Sequence, residues 1–275
     1  MNANQKKMKA DDLKLIVKDK YSQIAHKSNV LSESKCYGTT GCCSRVDYSV
    51  FSENYAKLSG YNPDADLGLG CGIPTEFAGI KQGNSVLDLG SGAGNDSFVA
   101  RAIVGETGKV TGLDFTDAML QKARENIRKL GFTNVEFVQG DIEDMPLPDN
   151  SYDVVLSNCV LNLVPDKAKA FAQIMRVLKT TGQFCVSDVV IKGNLPDVLR
   201  KDAEMYAGCV SGAIDIDEYL DIISKQGFKN ITVHKLKEIS IPIELLSNTM
   251  TQEEIAGFQK GETGIFSVTV SAYKE

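Results

Sequence analysis

The chain of 275 residues is 43% hydrophobic and carries a formal net charge of −6, with a pI of about 5.2. This length supports one sizeable core with appendages, and the acidic balance argues against nucleic acid as a partner. No apolar run approaches the roughly 18 residues of a membrane span, and the polar N-terminus lacks the apolar stretch of a signal peptide, so we expect a cytoplasmic protein.

Seven cysteines and two histidines limit the chemistry that the chain can use. In a reducing compartment, an odd number of cysteines does not fit a disulfide framework. The two histidines, His26 and His234, exclude a His-rich zinc or iron site. A histidine general base would have to be one of these two residues.

The first 75 residues are predicted to form a helical and cysteine-containing segment ahead of the core. Residues 10–27 have apolar side chains at helical spacing. Residues 28–47 are polar and rich in Ser, Gly and Cys, which indicates a loop, and a short helix is predicted over 52–62. The Gly- and Pro-rich stretch from Asn62 to Thr75 is predicted to be irregular.

From residue 84 onward, strand and helix patterns alternate. Strands are predicted at 85–89, 110–114, 135–139, 152–157 and 183–189, and helices at 95–104, 117–130 and 167–178. The alternation predicts an α/β fold with a doubly wound, mostly parallel sheet over residues 76–190. Residues 191–275 are predicted to be a small α+β part that completes the sheet on the substrate side. Its strand patterns lie at 231–240 and 265–273, separated by 249–258.

The first predicted strand runs directly into a glycine-rich turn. Asp88 is followed by Gly90, Gly92 and Gly94, in the spacing D-x-G-x-G-x-G. Residues without a Cβ permit a tight turn and let a ligand approach the backbone closely. The pattern differs from the G-x-G-x-x-G of nicotinamide enzymes and resembles motif I of the class I S-adenosylmethionine methyltransferases. The resemblance implies a Rossmann-like fold and S-adenosyl-L-methionine as cofactor.

Further cofactor contacts are predicted where the later strands end. An acid at the end of the second strand, Asp114, suits a pair of ribose hydroxyls, and an acid or amide after the third strand suits the adenine amino group. Asp88 either approaches the methionine ammonium or is a buried structural carboxylate. An ordinary tight turn, with Asp114 as a helix N-cap, is the alternative interpretation. The predicted cofactor-binding residues are Asp88, Gly90, Gly92, Gly94, Asp114, Phe115, Met119, Asp141, Ile142, Glu143 and Asn158.

Three cysteines are predicted near the same edge of the sheet. Cys159 follows the fourth strand, and ligands of doubly wound sheets lie beyond the carboxyl ends of the strands. Cys71 is flanked by Gly70 and Gly72, and Cys209 lies among small residues after the fifth strand. A lone cysteine is more often a small buried apolar residue, but thiolates at one site select soft, thiophilic ions.

The segments around these cysteines resemble the arsenite methyltransferase family. The likeness runs from residue 66 to 225 and rests on three stretches: Gly70-Cys71-Gly72, Ser157 to Leu163 with Pro165-Asp166-Lys167, and Gly208-Cys209 with Gly212-Ala213. It implies that Cys71, Cys159 and Cys209 bind trivalent arsenic, as substrate, beside the sulfonium of the cofactor. The extra C-terminal domain of longer family members is expected to be absent.

The resemblance also implies that an N-terminal cysteine relays arsenic or forms a transient disulfide. Cys36, Cys42 and Cys43 compete for this role, and Cys42 or Cys43 is favoured because the pair lies in a Gly/Ser-rich loop. Cys185 alternates within a predicted strand and is expected in the core.

The expected function is methylation of arsenite, or of its glutathione conjugate, for arsenic detoxification. The arsenic lone pair can act as nucleophile, which agrees with the lack of a recognisable motif for a general base. The expected partners are these arsenicals and a thiol reductant such as glutathione or thioredoxin, with no nucleic acid and no membrane, and we expect a monomer. The alternatives are a methyltransferase acting on a small organic molecule, such as a quinone or sterol precursor, and a non-enzymatic thiol protein that senses or sequesters arsenic or zinc.

Overall fold

The computed structural model describes residues 10–30, 53–193, 212–239, 251–252, 255 and 264–275. The helices of these residues are α1 (Ala10–Val30), α2 (Asn95–Val104), α3 (Asp117–Leu130), α4 (Lys167–Val177) and α5 (Ile216–Lys225). The strands are β1 (Ser85–Leu89), β2 (Lys109–Asp114), β3 (Val135–Gln139), β4 (Tyr152–Asn158), β5 (Leu178–Lys192), β6 (Lys229–Glu238) and β7 (Gly264–Tyr273). Short 3₁₀ turns lie at Pro74–Glu76 and Leu161–Leu163.

The seven strands form one mixed sheet in the order β3-β2-β1-β4-β5-β7-β6. Strands β1 to β5 run parallel to one another, and β7 is antiparallel to both β5 and β6. The predicted α/β class with a mostly parallel sheet is therefore confirmed. The parallel pairing brings the carboxyl ends of β1 to β4 to one edge, where ligands of such sheets bind.

Helices cover both faces of the sheet. Apolar side chains of β1 point alternately to the two faces, and each face is buried under helices. Leu87 and Leu89 pack on one face with side chains of α4 and α5, and Val86 packs on the other with side chains of α2 and α3. Phe171 of α4 contacts the rings of Phe184 and Tyr219 at centroid distances of 5.5 and 5.6 Å. Cys185 is fully buried on the same face as Val86, under α2 and α3, which confirms its predicted place in the core.

Single residues next to the helices determine where α3 ends and where α4 begins. Helix α3 ends at Gly131, whose φ of 70° is left-handed and whose N–H donates to the Ile127 carbonyl. A glycine in this conformation satisfies a helix carbonyl that would otherwise lack a donor. Asp166 begins α4, because its side chain accepts a hydrogen bond from the Lys169 N–H.

Four features differ from the predictions. The helix expected over 52–62 is wrong for the described residues 53–62, which form turns. The Asn54 and Asn62 side chains accept backbone N–H groups two residues on, a local bond that competes with helix. Strand β5 is longer than predicted, and α5 lies in a stretch for which no element is predicted. Of the expected loop, residues 28–30 belong to α1 and the remainder lies outside the described residues.

In the described part of the chain, none of the helices is both long enough and apolar enough to cross a membrane.

Candidate functional site

A cleft lies at the carboxyl edge of the sheet. Its walls come from the turn between β1 and α2, the ends of β2 and β4, the loop after β3, and residues 65–70. Val17 and Tyr21 of α1 line it as well. Eight predicted cofactor residues line this one cavity: Asp88, Gly90, Gly92, Asp114, Phe115, Met119, Ile142 and Asn158.

The glycine-rich turn depends on backbone conformations that favour glycine. Gly90 has a φ of 64°, and a Cβ at this position would overlap the Val160 side chain. Gly94 has a φ of 99° and packs against the rings of Phe98 and Phe137, behind the cavity. Gly90 therefore shapes the cavity wall, whereas Gly94 lets the turn pack on the core.

Asp114 connects the end of β2 to this turn. One carboxylate oxygen accepts the Gly92 N–H at 3.0 Å and the other accepts the Thr116 N–H at 2.8 Å. Burial raises the pKa of Asp114, and these backbone hydrogen bonds oppose the rise. The carboxylate is thus held in one orientation at the cavity wall.

Two of the acidic residues after β3, Asp141 and Glu143, face α1. Lys14 forms ion pairs with Asp141, at 2.6 Å, and with Glu143. The other carboxylate oxygen of the buried Glu143 accepts the Asp166 N–H at 2.7 Å. Asp141 and Glu143 therefore tie α1 over the loop, while Ile142 between them lines the cavity.

The floor of the cavity is acidic. Asp88 is buried and accepts a hydrogen bond from the Ser97 hydroxyl at 2.6 Å. Burial raises its pKa well above the usual range, and the neighbouring Asp96 adds to the rise. Burial also raises the pKa of Asp96 to about 6. Two close, buried carboxyls attract a cationic group, because a positive charge would offset their mutual repulsion.

Two polar atoms in the wall lack partners among the described residues. Ser91 Oγ and Asn95 Oδ1 are buried and make no hydrogen bond there. Leaving a buried polar atom unpaired costs about 1–3 kcal/mol, so both atoms fit a site that takes a polar ligand. The sequence analysis missed them, although both lie in or directly after the glycine motif.

Cys159 lies in the cavity wall directly after β4 and is 3% exposed. Its φ of 58° is left-handed, and its N–H donates to the Ser187 carbonyl at 2.7 Å. Non-glycine residues in this conformation are uncommon and concentrate at functional sites.

Cys71 is 1% exposed and lies on the segment that crosses the end of β4. Its N–H donates to Asn158 Oδ1 at 3.0 Å, and its carbonyl accepts the Ser267 hydroxyl at 2.5 Å. Burial raises the pKa of Tyr219 most; the Asp188 carboxylate, Cys71 and Cys159 raise it further. Both cysteines are therefore among the groups that act electrostatically on the Tyr219 hydroxyl.

The remaining predicted sulfur ligands are not described by the structure. Cys209, Cys42 and Cys43, with the competing Cys36, fall outside the described residues. Within the described ranges, no group of three or more His, Cys, Asp or Glu side chains is placed to hold a metal ion.

Sequence reasoning also missed Tyr55 and Asp96, which line the cavity and bond to each other at 2.8 Å. Tyr55 lies where a helix is predicted, and no motif marks it. Asp96 lies two residues after Gly94, the last glycine of the motif, and this closeness to the motif could have marked it as a candidate site residue.

Comparison with known proteins gives consistent matches. A family described as "Methyltransferase domain" matches residues 80–235. An arsenite methyltransferase of Halobacterium salinarum is 43% identical over 204 residues, covering 71% of this chain and 51% of the relative. One from Aquipseudomonas alcaligenes is 32% identical over 253 residues, covering 89% of this chain and 69% of the relative.

Among solved structures, an arsenic(III) S-adenosylmethionine methyltransferase from Chlamydomonas reinhardtii matches with a TM-score of 0.62. It is 36% identical, and the match covers 74% of this chain and 67% of that one. The chain spans about half the length of the Halobacterium relative, 51% of it.

Proposed function

The chain belongs to the arsenite methyltransferase family, and from this premise we propose that it methylates trivalent arsenic with S-adenosylmethionine as methyl donor. The observation that carries the proposal is the position of Cys159. This thiol-bearing residue lies in the wall of the same cavity as the glycine-rich turn, with Cys71 bonded through its backbone to the adjacent Asn158. A thiol, which is a soft ligand for a thiophilic ion, thus adjoins a cavity that suits a nucleoside.

The residues around the cavity fit S-adenosylmethionine, which supplies an electrophilic methyl group on a sulfonium sulfur when bound. Asp114 is held in place to accept the ribose hydroxyls, and the acidic floor at Asp88 suits the ammonium of the methionine moiety. The unpartnered Ser91 and Asn95 atoms offer further polar contacts. Gly92 leaves the backbone open to close approach, because a Cβ at this position would meet only Met119 Sδ, at 4.0 Å.

Apolar walls and α1 complete this half of the site. Phe115, Met119 and Ile142 present apolar surface to an adenine ring. Asp141 and Glu143 are engaged by Lys14, so we assign them to holding α1 over the loop, and a direct contact with the adenine amino group stays a prediction.

The cysteines provide the arsenic-binding half. Arsenite, or its glutathione conjugate, exchanges its oxygen or sulfur ligands for thiolates of Cys71, Cys159 and Cys209. A three-coordinate arsenic keeps a lone pair, so the substrate is its own nucleophile and no side chain has to remove a proton. The protein contributes proximity and orientation, which are worth up to about 7–11 kcal/mol in ideal cases.

Several finer points of the proposal rest on the family resemblance and the composition. Cys42 or Cys43 relays arsenic or forms a transient disulfide, and glutathione or thioredoxin restores the thiols. The protein acts as a cytoplasmic monomer, with residues 1–75, 76–190 and 191–275 as N-terminal, cofactor-binding and substrate-side parts.

The test is to incubate the purified protein with arsenite, S-adenosylmethionine and excess glutathione, and to separate arsenic species by chromatography with elemental detection. Cys159→Ser should abolish methylarsenical formation. Cys185→Ala, which alters a buried core cysteine away from the cavity wall, is the matched control and should retain activity.

Methylation by Cys159→Ser at the wild-type rate would refute the role of this thiol. If the unaltered protein binds S-adenosylmethionine but forms no methylated arsenic, the acceptor is an organic molecule and the cysteines have a packing role.

A further inference from the structure

A buried polar cluster links the two sides of the cavity. It consists of Tyr55, Asp96 and Asn158, and we call it the Asp96 cluster. Asp96 is the second residue of α2, Asn158 ends β4, and Tyr55 precedes the cysteine-bearing segment. None of these side chains is more than half exposed, and Tyr55 and Asp96 are buried. The cluster therefore joins three elements that are distant in the chain.

Both carboxylate oxygens of Asp96 are used within the cluster. Oδ1 accepts the Tyr55 hydroxyl at 2.8 Å and Oδ2 accepts an N–H of Asn158 at 2.9 Å. Its position in the first turn of α2 also favours a negative charge. The pKa of Tyr55 is raised well above its usual range, by burial first and then by Asp96, so the phenol stays a donor.

Asn158, held by Asp96, also binds the backbone of the segment that carries Cys71. Its Oδ1 accepts the Cys71 N–H at 3.0 Å, and its Nδ2 donates to the Gly72 carbonyl at 2.9 Å. The Tyr55 hydroxyl lies 2.9 Å from the same Gly72 carbonyl. A side-chain amide has one acceptor oxygen and two N–H donors. Here Nδ2 lies within hydrogen-bond distance of three acceptors, namely the Tyr55 hydroxyl at 2.8 Å, the Gly72 carbonyl and Asp96 Oδ2.

The flanking glycines show how closely the segment fits. A Cβ on Gly70 would lie 2.7 Å from Asn158 Nδ2, and one on Gly72 would lie 2.7 Å from the Ser187 Cβ. Ser187 also accepts the Cys159 N–H through its carbonyl. The backbones that carry Cys71 and Cys159 are thus fixed against the same two residues, Asn158 and Ser187.

We propose that Asp96 and Tyr55 are positioning residues, which orient Asn158 so that Cys71 is presented beside Cys159 for arsenic coordination. The arsenic part of this inference rests on the proposed function, whereas the positioning of Cys71 does not. Two measurements separate these parts.

The first measurement is the alkylation rate of Cys71 by iodoacetamide in the reduced, native protein, read by peptide mass spectrometry. Asp96→Asn removes the charge and leaves one acceptor oxygen for the two donors of Tyr55 and Asn158, and Tyr55→Phe removes one hydroxyl. Loss of a hydrogen bond to a charged group is worth about tenfold, so both variants should raise Cys71 alkylation about tenfold. In Tyr55→Phe, alkylation of Cys185, buried in β5, should not change, because this variant keeps the Asp96 charge that acts on the Cys185 thiol.

The matched control is Tyr152→Phe, which also removes a hydroxyl from a buried tyrosine, at the opposite end of β4. It should leave Cys71 alkylation unchanged. Unchanged Cys71 alkylation in Asp96→Asn and Tyr55→Phe would overturn the proposal. If Asp96→Asn raises Cys185 alkylation as well, either unfolding or the lost Asp96 charge accounts for it, and Tyr55→Phe, which keeps that charge, decides by the same criterion.

The second measurement is equilibrium dialysis of arsenite against each variant without S-adenosylmethionine, with arsenic read by elemental analysis. Both variants should bind arsenite about tenfold more weakly, and the effect should vanish in a Cys71→Ser background, since coupled residues are not additive. Wild-type affinity in both variants overturns the arsenic role of the cluster. If the unaltered protein binds no arsenite, the proposed function fails, while the alkylation result still decides the positioning.

Discussion

Asp188 predicts an unusual dependence of stability on pH. This residue of β5 is fully buried, and the Tyr219 hydroxyl donates to it at 3.1 Å. Burial raises its pKa from 3.8 to about 7, and the charge of the buried Lys167 only partly opposes the rise. The ionised form of the carboxylate is therefore less stable in the folded chain than in the unfolded chain.

The sign follows from proton linkage. A carboxyl whose pKa is raised in the folded state adds stability below its unfolded pKa of 3.8, and this stability is lost as pH rises through about 7. A difference of about 3 units, at about 1.4 kcal/mol per unit, amounts to about 4 kcal/mol. About 3 kcal/mol of this change falls between pH 5 and pH 8.

The assay is urea unfolding of the unaltered protein and of Asp188→Asn at pH 5 and pH 8. The unaltered protein should be more stable at pH 5, with Asp88, Asp96 and Asp114 adding in the same direction because their pKa values are also raised. In Asp188→Asn, the difference between the two pH values should shrink by about 3 kcal/mol.

The comparison uses only the change with pH, so any constant loss from the Tyr219 hydrogen bond cancels. Asp149→Asn, which removes an exposed carboxylate paired with Arg176, is the control and should leave the pH dependence as in the unaltered protein. An identical pH dependence in Asp188→Asn and the unaltered protein would refute the reasoning.

Three further predictions follow from the cavity and the core. Gly90→Val, at a φ of 64° and against Val160, should weaken S-adenosylmethionine binding at least about tenfold; isothermal titration measures this, with unchanged far-ultraviolet dichroism as the check on folding. Phe171→Ala should lower the free energy of unfolding by about 3–5 kcal/mol, because the ring is buried against Phe184 and Tyr219; a loss below 1 kcal/mol in urea would contradict this packing. S-adenosylmethionine at one hundred times its Kd should add about 2.7 kcal/mol, and a melting temperature that does not rise would count against cofactor binding.

Where neighbouring residues decide the structure, the sequence was sufficient to predict it. The strand from Ser85 to Leu89, the turn to Asn95 and the helix to Val104 follow from an apolar run, three glycines and helical spacing, and the structure has these bounds. The end of α3 follows likewise from Gly131. Such segments carry their own signals, because the turn and cap residues are local.

Contacts between distant segments could not be predicted in this way. No pattern indicates that β7 inserts between β5 and β6, since strand order depends on pairing across the whole sheet. Lys14 occupies Asp141 and Glu143 through contacts that span more than a hundred residues. The same carboxylates, viewed in sequence alone, suit an adenine amino group equally well.

The candidate site itself combines both kinds of information. Cys159 is placed by β4 and by the residue beside it, so its position at the sheet edge was foreseeable from the strand pattern. Cys71 reaches that edge through the Asn158 amide, 87 positions away, and Asn158 is in turn oriented by Asp96 from the cofactor turn. The Asn158 amide contacts both the segment that carries Cys71 and the helix that begins at the glycine motif. A substitution on the cofactor side of the cavity therefore alters the position of Cys71, although the substituted residue does not contact Cys71. Arsenic binding and cofactor binding should therefore be energetically coupled, and the coupling should be lost in Asp96→Asn.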